Sequence, residues 1–225
     1  MKYVAYVMGI ALCAPLLSSG VAIAQAQGSK VDLTNGTYYA IGDSISNDRY
    51  NDEQFAQVVV KAFPGLTLEN LALGGSSAAY ALNVEVPKIP SGNPACKLVT
   101  LETGGGDLIR QAVPISTVQS QFAQVYQAVR QRCPHATIVI ATYINNAQQE
   151  RVRADLDAYN QWLRGFASQN KLLLVDLAAD RRFNDGPFPS TLMRNWAHPS
   201  TSGNQIVGQD FVDVLNAARA ATPSP

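Results

Sequence analysis

The stretch Thr37-Tyr38-Tyr39-Ala40-Ile41-Gly42-Asp43-Ser44 runs from a β-branched and aromatic apolar segment directly into a glycine turn. Residues 37–41 suit a buried strand. Gly42 lets the backbone turn sharply at the strand's end. Asp43 or Ser44 then stands where a side chain either caps a following helix or does chemistry.

The same grammar recurs along the chain. Apolar, strand-like runs are expected at 66–73, 98–102, 137–143 and 171–177. Helical runs separate them. Residues 52–63 read as a helix with Asp52 as N-cap and Pro64-Gly65 as its stop. Residues 77–84 are helical, and 87–94, with three prolines and a glycine, form a loop. Residues 116–132 carry a stripe of Val118, Phe122, Val125 and Val129, and residues 148–168 one of Val152, Leu156, Tyr159 and Leu163. Residues 202–220 form a closing helix. Five apolar strands alternating with helices predict an α/β three-layer sandwich with a five-stranded parallel sheet.

A chain of 225 residues holds one sizeable domain. Its 47% hydrophobic and 15% charged residues fit a globular protein. The net charge is zero and no Lys/Arg stripe occurs, which argues against nucleic acid as a partner. Lys2, an apolar stretch over 4–17, and Ala22-Ile23-Ala24 or Ala24-Gln25-Ala26 read as a signal peptide over 1–26, leaving 27–225 as the mature domain, secreted or periplasmic. An uncleaved anchor is the rival, since no charge lies between Lys2 and Lys30; Ser18, Ser19, Gly20, Gln25 and Gln27 break the run a spanning helix needs. No stable membrane insertion is expected after cleavage. Cys13 reads as filler. Cys96 and Cys133 each precede a strand-like run, so they form either one disulfide at one end of the sheet or two separate thiols. No CxxC, HExxH or clustered ligand pattern predicts a metal.

Open α/β sheets place ligands at the carboxyl ends of their strands. Three glycine turns fall there: Gly42-Asp43-Ser44, Gly74-Gly75-Ser76 and Gly104-Gly105-Gly106-Asp107. The third lacks a following GK[ST] and the GxGxxG spacing, so a nucleotide site is not indicated. His135 precedes the fourth strand, at the opposite end. His198, in Asn195-Trp196-Ala197-His198-Pro199-Ser200, follows the fifth strand and shares the rim with Ser44. An adjacent base turns a serine into a nucleophile.

On these residues the chain resembles the GDSL, or SGNH, hydrolase family. Gly42-Asp43-Ser44 resembles its nucleophile block, Asn70-Leu71-Ala72-Leu73-Gly74-Gly75 its second, Gly104-Gly105-Gly106-Asp107 its third and His198-Pro199-Ser200 its last. The resemblance covers 37–215 and implies the flavodoxin-like SGNH hydrolase fold. It further implies Ser44 as nucleophile, His198 as general base, an oxyanion hole at the N–H groups of Ser44 and Gly75, and a small-molecule or acylated ester as substrate. No cofactor is implied, and a monomer is expected.

Two positions depart from the family. Gly106 stands where an Asn amide usually donates to the oxyanion, and Asn195 where an Asp usually orients the histidine. Losing one oxyanion donor costs about 3–4 kcal/mol of transition-state stabilisation. Replacing the Asp by Asn costs roughly 10⁴ in rate, mainly through the wrong tautomer. Asn145 or Asn146, after the fourth strand, could supply the amide. A backbone carbonyl near Asn195, or Asp185, could hold the imidazole. Asp107 is a helix cap or turn residue before it is a catalytic one. Trp196 either packs beside His198 or fills core. Phe183, Phe188 and Leu192, ahead of His198, are candidates for an acyl pocket. Carbohydrate O-deacetylation is the alternative reaction, and a non-catalytic exported binding protein the alternative class.

Overall fold

The computed structural model describes residues 31–183 and 187–221. Its strands β1 (Gly36–Gly42), β2 (Leu66–Asn70), β3 (Cys96–Glu102), β4 (Thr137–Ala141) and β5 (Leu173–Val175) pair in the order β2-β1-β3-β4-β5. Every pairing is parallel.

Successive residues of a strand face opposite sides, and the sheet obeys this closely. Tyr39 and Ile41 of β1, with Val99 and Leu101 of β3, join one core beneath helices α3 (Ile115–Arg132) and α4 (Glu150–Asn170). Tyr38, Ala40 and Leu98 join the other, beneath α1 (Phe55–Ala62) and α5 (Thr201–Ala220). On the first face Phe122 meets Trp162 and Phe166 edge-on at 5.7 and 5.5 Å. On the second, Phe55 stacks on Phe211 at 4.6 Å, locking α1 to α5. The result is the expected three-layer sandwich.

Element ends differ from the sequence reading where local chemistry intervenes. Helix α1 begins at Phe55, not near Asp52. Gln54 is its N-cap and forms a reciprocal capping box with Gln57, satisfying two end N–H groups together. Ser77 caps α2 (Ala78–Tyr80) by accepting from the Tyr80 N–H at 3.1 Å. The helix then widens into a π-helical turn (Ala81–Glu85) and ends in a 3₁₀ turn (Val86–Lys88). Pro87 therefore lies inside helical structure, in an opening turn where a missing N–H costs nothing. The second strand stops at Asn70 and the fourth at Ala141, earlier than expected. The fifth begins only at Leu173, because Lys171 takes a left-handed conformation (φ 53°) to end α4.

The sulfurs of Cys96 and Cys133 are bonded and join the start of β3 to the end of α3. Among the described residues no helix is long and apolar enough to cross a membrane. The expected leader at 1–26, Cys13 and Asp185 lie outside the described residues.

Candidate active site

The sheet reverses its winding between β1 and β3, and the chain segments leaving these two strands diverge to form a cleft. Ser44 follows β1 and the glycines Gly104 to Gly106 follow β3. The turn after β1 is clamped on all sides. Its Gly42 N–H donates to Glu85 Oε2 at 3.0 Å and its Gly42 carbonyl accepts from Ser76 Oγ at 3.1 Å. The Asp43 N–H donates to the Glu102 carbonyl at 3.1 Å.

Asp43 is buried and ties three segments together. Its carboxylate accepts from the Ile45 N–H at 3.2 Å, the Tyr143 hydroxyl at 3.1 Å and the Gly106 N–H at 3.4 Å. Glu102 lies beside it. Burial raises both carboxyls, and Asp43's charge raises Glu102 further, well above the usual range. Of the two, Glu102 holds its proton the more tightly. Burial likewise raises Glu85, to about 7.

His198 enters on a tight hairpin-like loop. Met193 bridges Pro199, the Arg194 N–H donates to the His198 carbonyl at 2.9 Å, and Ser200 caps α5 at Gly203 N. His198 Nε2 lies 2.8 Å from Ser44 Oγ. Its Nδ1 lies 3.0 Å from Asn195 Oδ1. That oxygen also accepts from the backbone N–H groups of Ala197 and His198, each at 2.9 Å. Backbone N–H groups only donate, so this amide atom is the oxygen, and Nδ1 facing it must carry the hydrogen. Nε2 is left with its lone pair toward Ser44. Burial lowers the His198 pKa from its ordinary 6.5; Arg194 and Arg110 lower it as well, and Asp48 opposes them.

Gly75 holds φ +82°, open to glycine at little cost. Neither its N–H nor that of Ser44 donates to any described group. Both residues line a pocket of about 300 Å³ with His198, Asn195, Gly106 and Arg110. Its apolar walls are Ile45, Ile109, Ile144, Trp196 and Ala197. This arrangement can deprotonate a serine, orient the resulting imidazolium and offer two N–H donors to an oxyanion.

Several expected contributors are elsewhere. Asn145 donates to the Arg153 carbonyl at 3.0 Å and to Asp157 at 2.6 Å; Asn146 donates to the Phe183 carbonyl at 2.6 Å. Neither amide faces the oxyanion side, because α4 and the loop before His198 have claimed them. Phe183 is fully buried in the core under α5, with Phe188 and Leu192 packed against it. They do not line the pocket. Asp107 accepts from the Ala78 N–H at 2.9 Å, at the first residue of α2. Trp196 lines the pocket beside His198, and His135 is exposed. Sequence reasoning missed Tyr143, Glu102 and Arg110. Only Arg110 left a trace, a cation four residues beyond the anomalous Gly106.

The model of the GDSL-like Lipase/Acylhydrolase family matches residues 40–206. The chain belongs to this family. No curated protein matches the sequence. Among solved structures, one described as a possible lipase from Chitinophaga pinensis is 18% identical, with a TM-score of 0.66 over 80% of this chain and 98% of the other. An extracellular lipase from Streptomyces rimosus is 18% identical, with a TM-score of 0.61 over 82% and 100%. A catalytic mutant of an acetylxylan esterase from Geobacillus stearothermophilus is 19% identical, with a TM-score of 0.59 over 81% and 94%. At such identities these structures establish the shared SGNH hydrolase fold.

Proposed function

We propose that this GDSL-family chain is an exported hydrolase of small carboxylic esters, acting through a covalent acyl-enzyme on Ser44. The observation that carries the reading is the 2.8 Å contact between Ser44 Oγ and His198 Nε2, with the imidazole already in the accepting tautomer. His198 removes the serine proton as Oγ attacks the ester carbonyl. The oxyanion is held by the N–H groups of Ser44 and Gly75. His198 then protonates the leaving alcohol and activates the water that releases the acid.

The pocket's 300 Å³ is at the small end for ligand sites, favouring short acyl groups over long lipid chains. That favours carbohydrate O-deacetylation as the second reading, and one structural neighbour is an acetylxylan esterase. A non-catalytic binding protein has no use for a preset nucleophile and base. Export follows from the leader-like segment 1–26 and agrees with the Cys96–Cys133 bond, which persists in oxidising compartments.

Turnover of p-nitrophenyl esters of graded chain length tests this, beside Ser44→Ala and His198→Ala. Activity confined to the shortest esters and abolished in both variants is expected. Wild type no faster than Ser44→Ala on every ester would refute it.

A further inference from the structure

The position from which the family's amide reaches the oxyanion is filled by Gly106, and the structure shows why an amide does not return there. A methyl group built on Gly106 would lie 2.9 Å from the Ser76 carbonyl oxygen, so any side chain would push on backbone. The Gly106 N–H is itself turned to Asp43. With Asn145 and Asn146 engaged elsewhere, the oxyanion side of the pocket lacks its third donor unless another residue supplies it.

One cation stands there. Arg110 lies on the π-helical turn Asp107–Gln111 that continues from Gly106. Its guanidinium rests against Gly75: a methyl group on that residue would meet Nη1 at 2.4 Å and Cζ at 3.1 Å. Gly75 therefore lacks a side chain for two reasons, its positive φ and the guanidinium in the space a Cβ would take. Arg110 lines the same pocket as Ser44 and His198, and its charge is felt at the His198 ring. The other arginine near the histidine, Arg194, is paired with Asp48. The Arg110 guanidinium makes no hydrogen bond or ion pair with any described residue.

We infer that Arg110 is the replacement oxyanion donor, a guanidinium against Gly75 taking the place of the missing amide. This rests on the esterase reading above. When Ser44 Oγ bonds to the carbonyl carbon, its proton passes to His198 Nε2 and the carbonyl π electrons move onto oxygen. Arg110 donates hydrogen bonds to that oxygen and keeps all its protons. Collapse returns the electron pair, breaks the bond to the alcohol oxygen, and sends the His198 proton to the alcohol. The charge on the oxygen exists only between those events, so the guanidinium stabilises the transition state more than the bound ester.

The experiment compares wild type, Arg110→Met and Arg110→Lys on p-nitrophenyl acetate, a neutral ester, from pH 5 to 9, with Ser44→Ala as blank. Arg110→Met, which has neither donor nor charge, should lose about 10²-fold in kcat with KM nearly unchanged. Arg110→Lys should retain an intermediate rate. The inflexion assigned to His198 should move up in the Met variant and hold in the Lys variant. Arg110 is exposed, and equal melting temperatures will show that all variants fold. An unchanged kcat overturns the inference, as does a loss confined to KM or to esters bearing a carboxylate or phosphate, which would make Arg110 a recognition group. Wild-type turnover no greater than Ser44→Ala overturns the esterase reading and this inference together, whereas an active wild type with an equally active Arg110→Met overturns this inference alone.

Discussion

Asn195 Oδ1 accepts three hydrogens at once, from the backbone N–H groups of Ala197 and His198 and from His198 Nδ1. A neutral amide oxygen thereby fixes the same tautomer that a carboxylate would. The usual penalty for Asn in place of Asp arises when the amide presents its NH₂ to the ring and inverts the tautomer. Here two backbone donors prevent that flip. What Asn195 lacks is only the negative charge that would stabilise imidazolium.

Asn195→Ala should therefore reduce kcat by about 10²-fold, since the base loses both orientation and tautomer control. Asn195→Asp should keep activity and raise the inflexion of the pH–rate profile, because a carboxylate favours the charged ring. Steady-state kinetics on a short ester checks both. An Ala variant as fast as wild type would show that the amide does not set the tautomer.

The pH profile of wild type carries its own prediction. Burial holds the His198 pKa below 6.5, and a base works only when neutral. Values of kcat/KM should therefore rise with pH to a plateau, with an inflexion under 6.5. An inflexion above that value would mean that a nearby anion, rather than burial and the two arginines, dominates the ring.

Restoring the family's residue by Gly106→Asn should not restore a better enzyme. Its Cβ would sit 2.9 Å from the Ser76 carbonyl oxygen, and crowding of this kind costs about 1–3 kcal/mol. Thermal denaturation should show a lower melting temperature. A variant as stable as wild type and faster would mean that the turn accommodates the amide and that Gly106 is not enforced by packing.

Glu85 makes stability depend on pH. Its carboxyl is raised from an ordinary 4.5 to about 7, chiefly by burial, so the folded state holds its proton more tightly than the unfolded one. Its contribution is fully present at low pH and is lost as pH rises through about 7. Glu85→Gln cannot ionise, and its amide oxygen can still accept from the Gly42 N–H. The melting temperature of the variant relative to wild type should climb between pH 5 and pH 8. A difference independent of pH would show that Glu85 is not protonated in the fold.

The layers were legible because apolar runs with strand length alternate with helical stripes, and the rim could be read because parallel strands all end on one side. Tyr39 and Ile41 against Tyr38 and Ala40 show how completely alternation assigns the two cores. Side-chain direction was not legible. Asn145 and Asn146 follow the correct strand, yet Arg153, Asp157 and Phe183 draw them away from the pocket. Phe183, Phe188 and Leu192 precede the histidine in sequence, but Phe183 is buried in the core beneath α5 and Phe188 and Leu192, half-buried, pack against that core. Asn195 read as a loss because its two backbone donors exist only once the loop has folded. Arg110 belongs to no motif and gains meaning only from lying against Gly75.

The most direct measurement is the mass of the protein after reaction with a fluorophosphonate, followed by peptide mapping. The account predicts a single adduct on Ser44, absent in Ser44→Ala and formed far more slowly in His198→Ala. No adduct in wild type, or an adduct on another residue, would contradict a serine activated by His198 and with it the reading of this pocket as an esterase site.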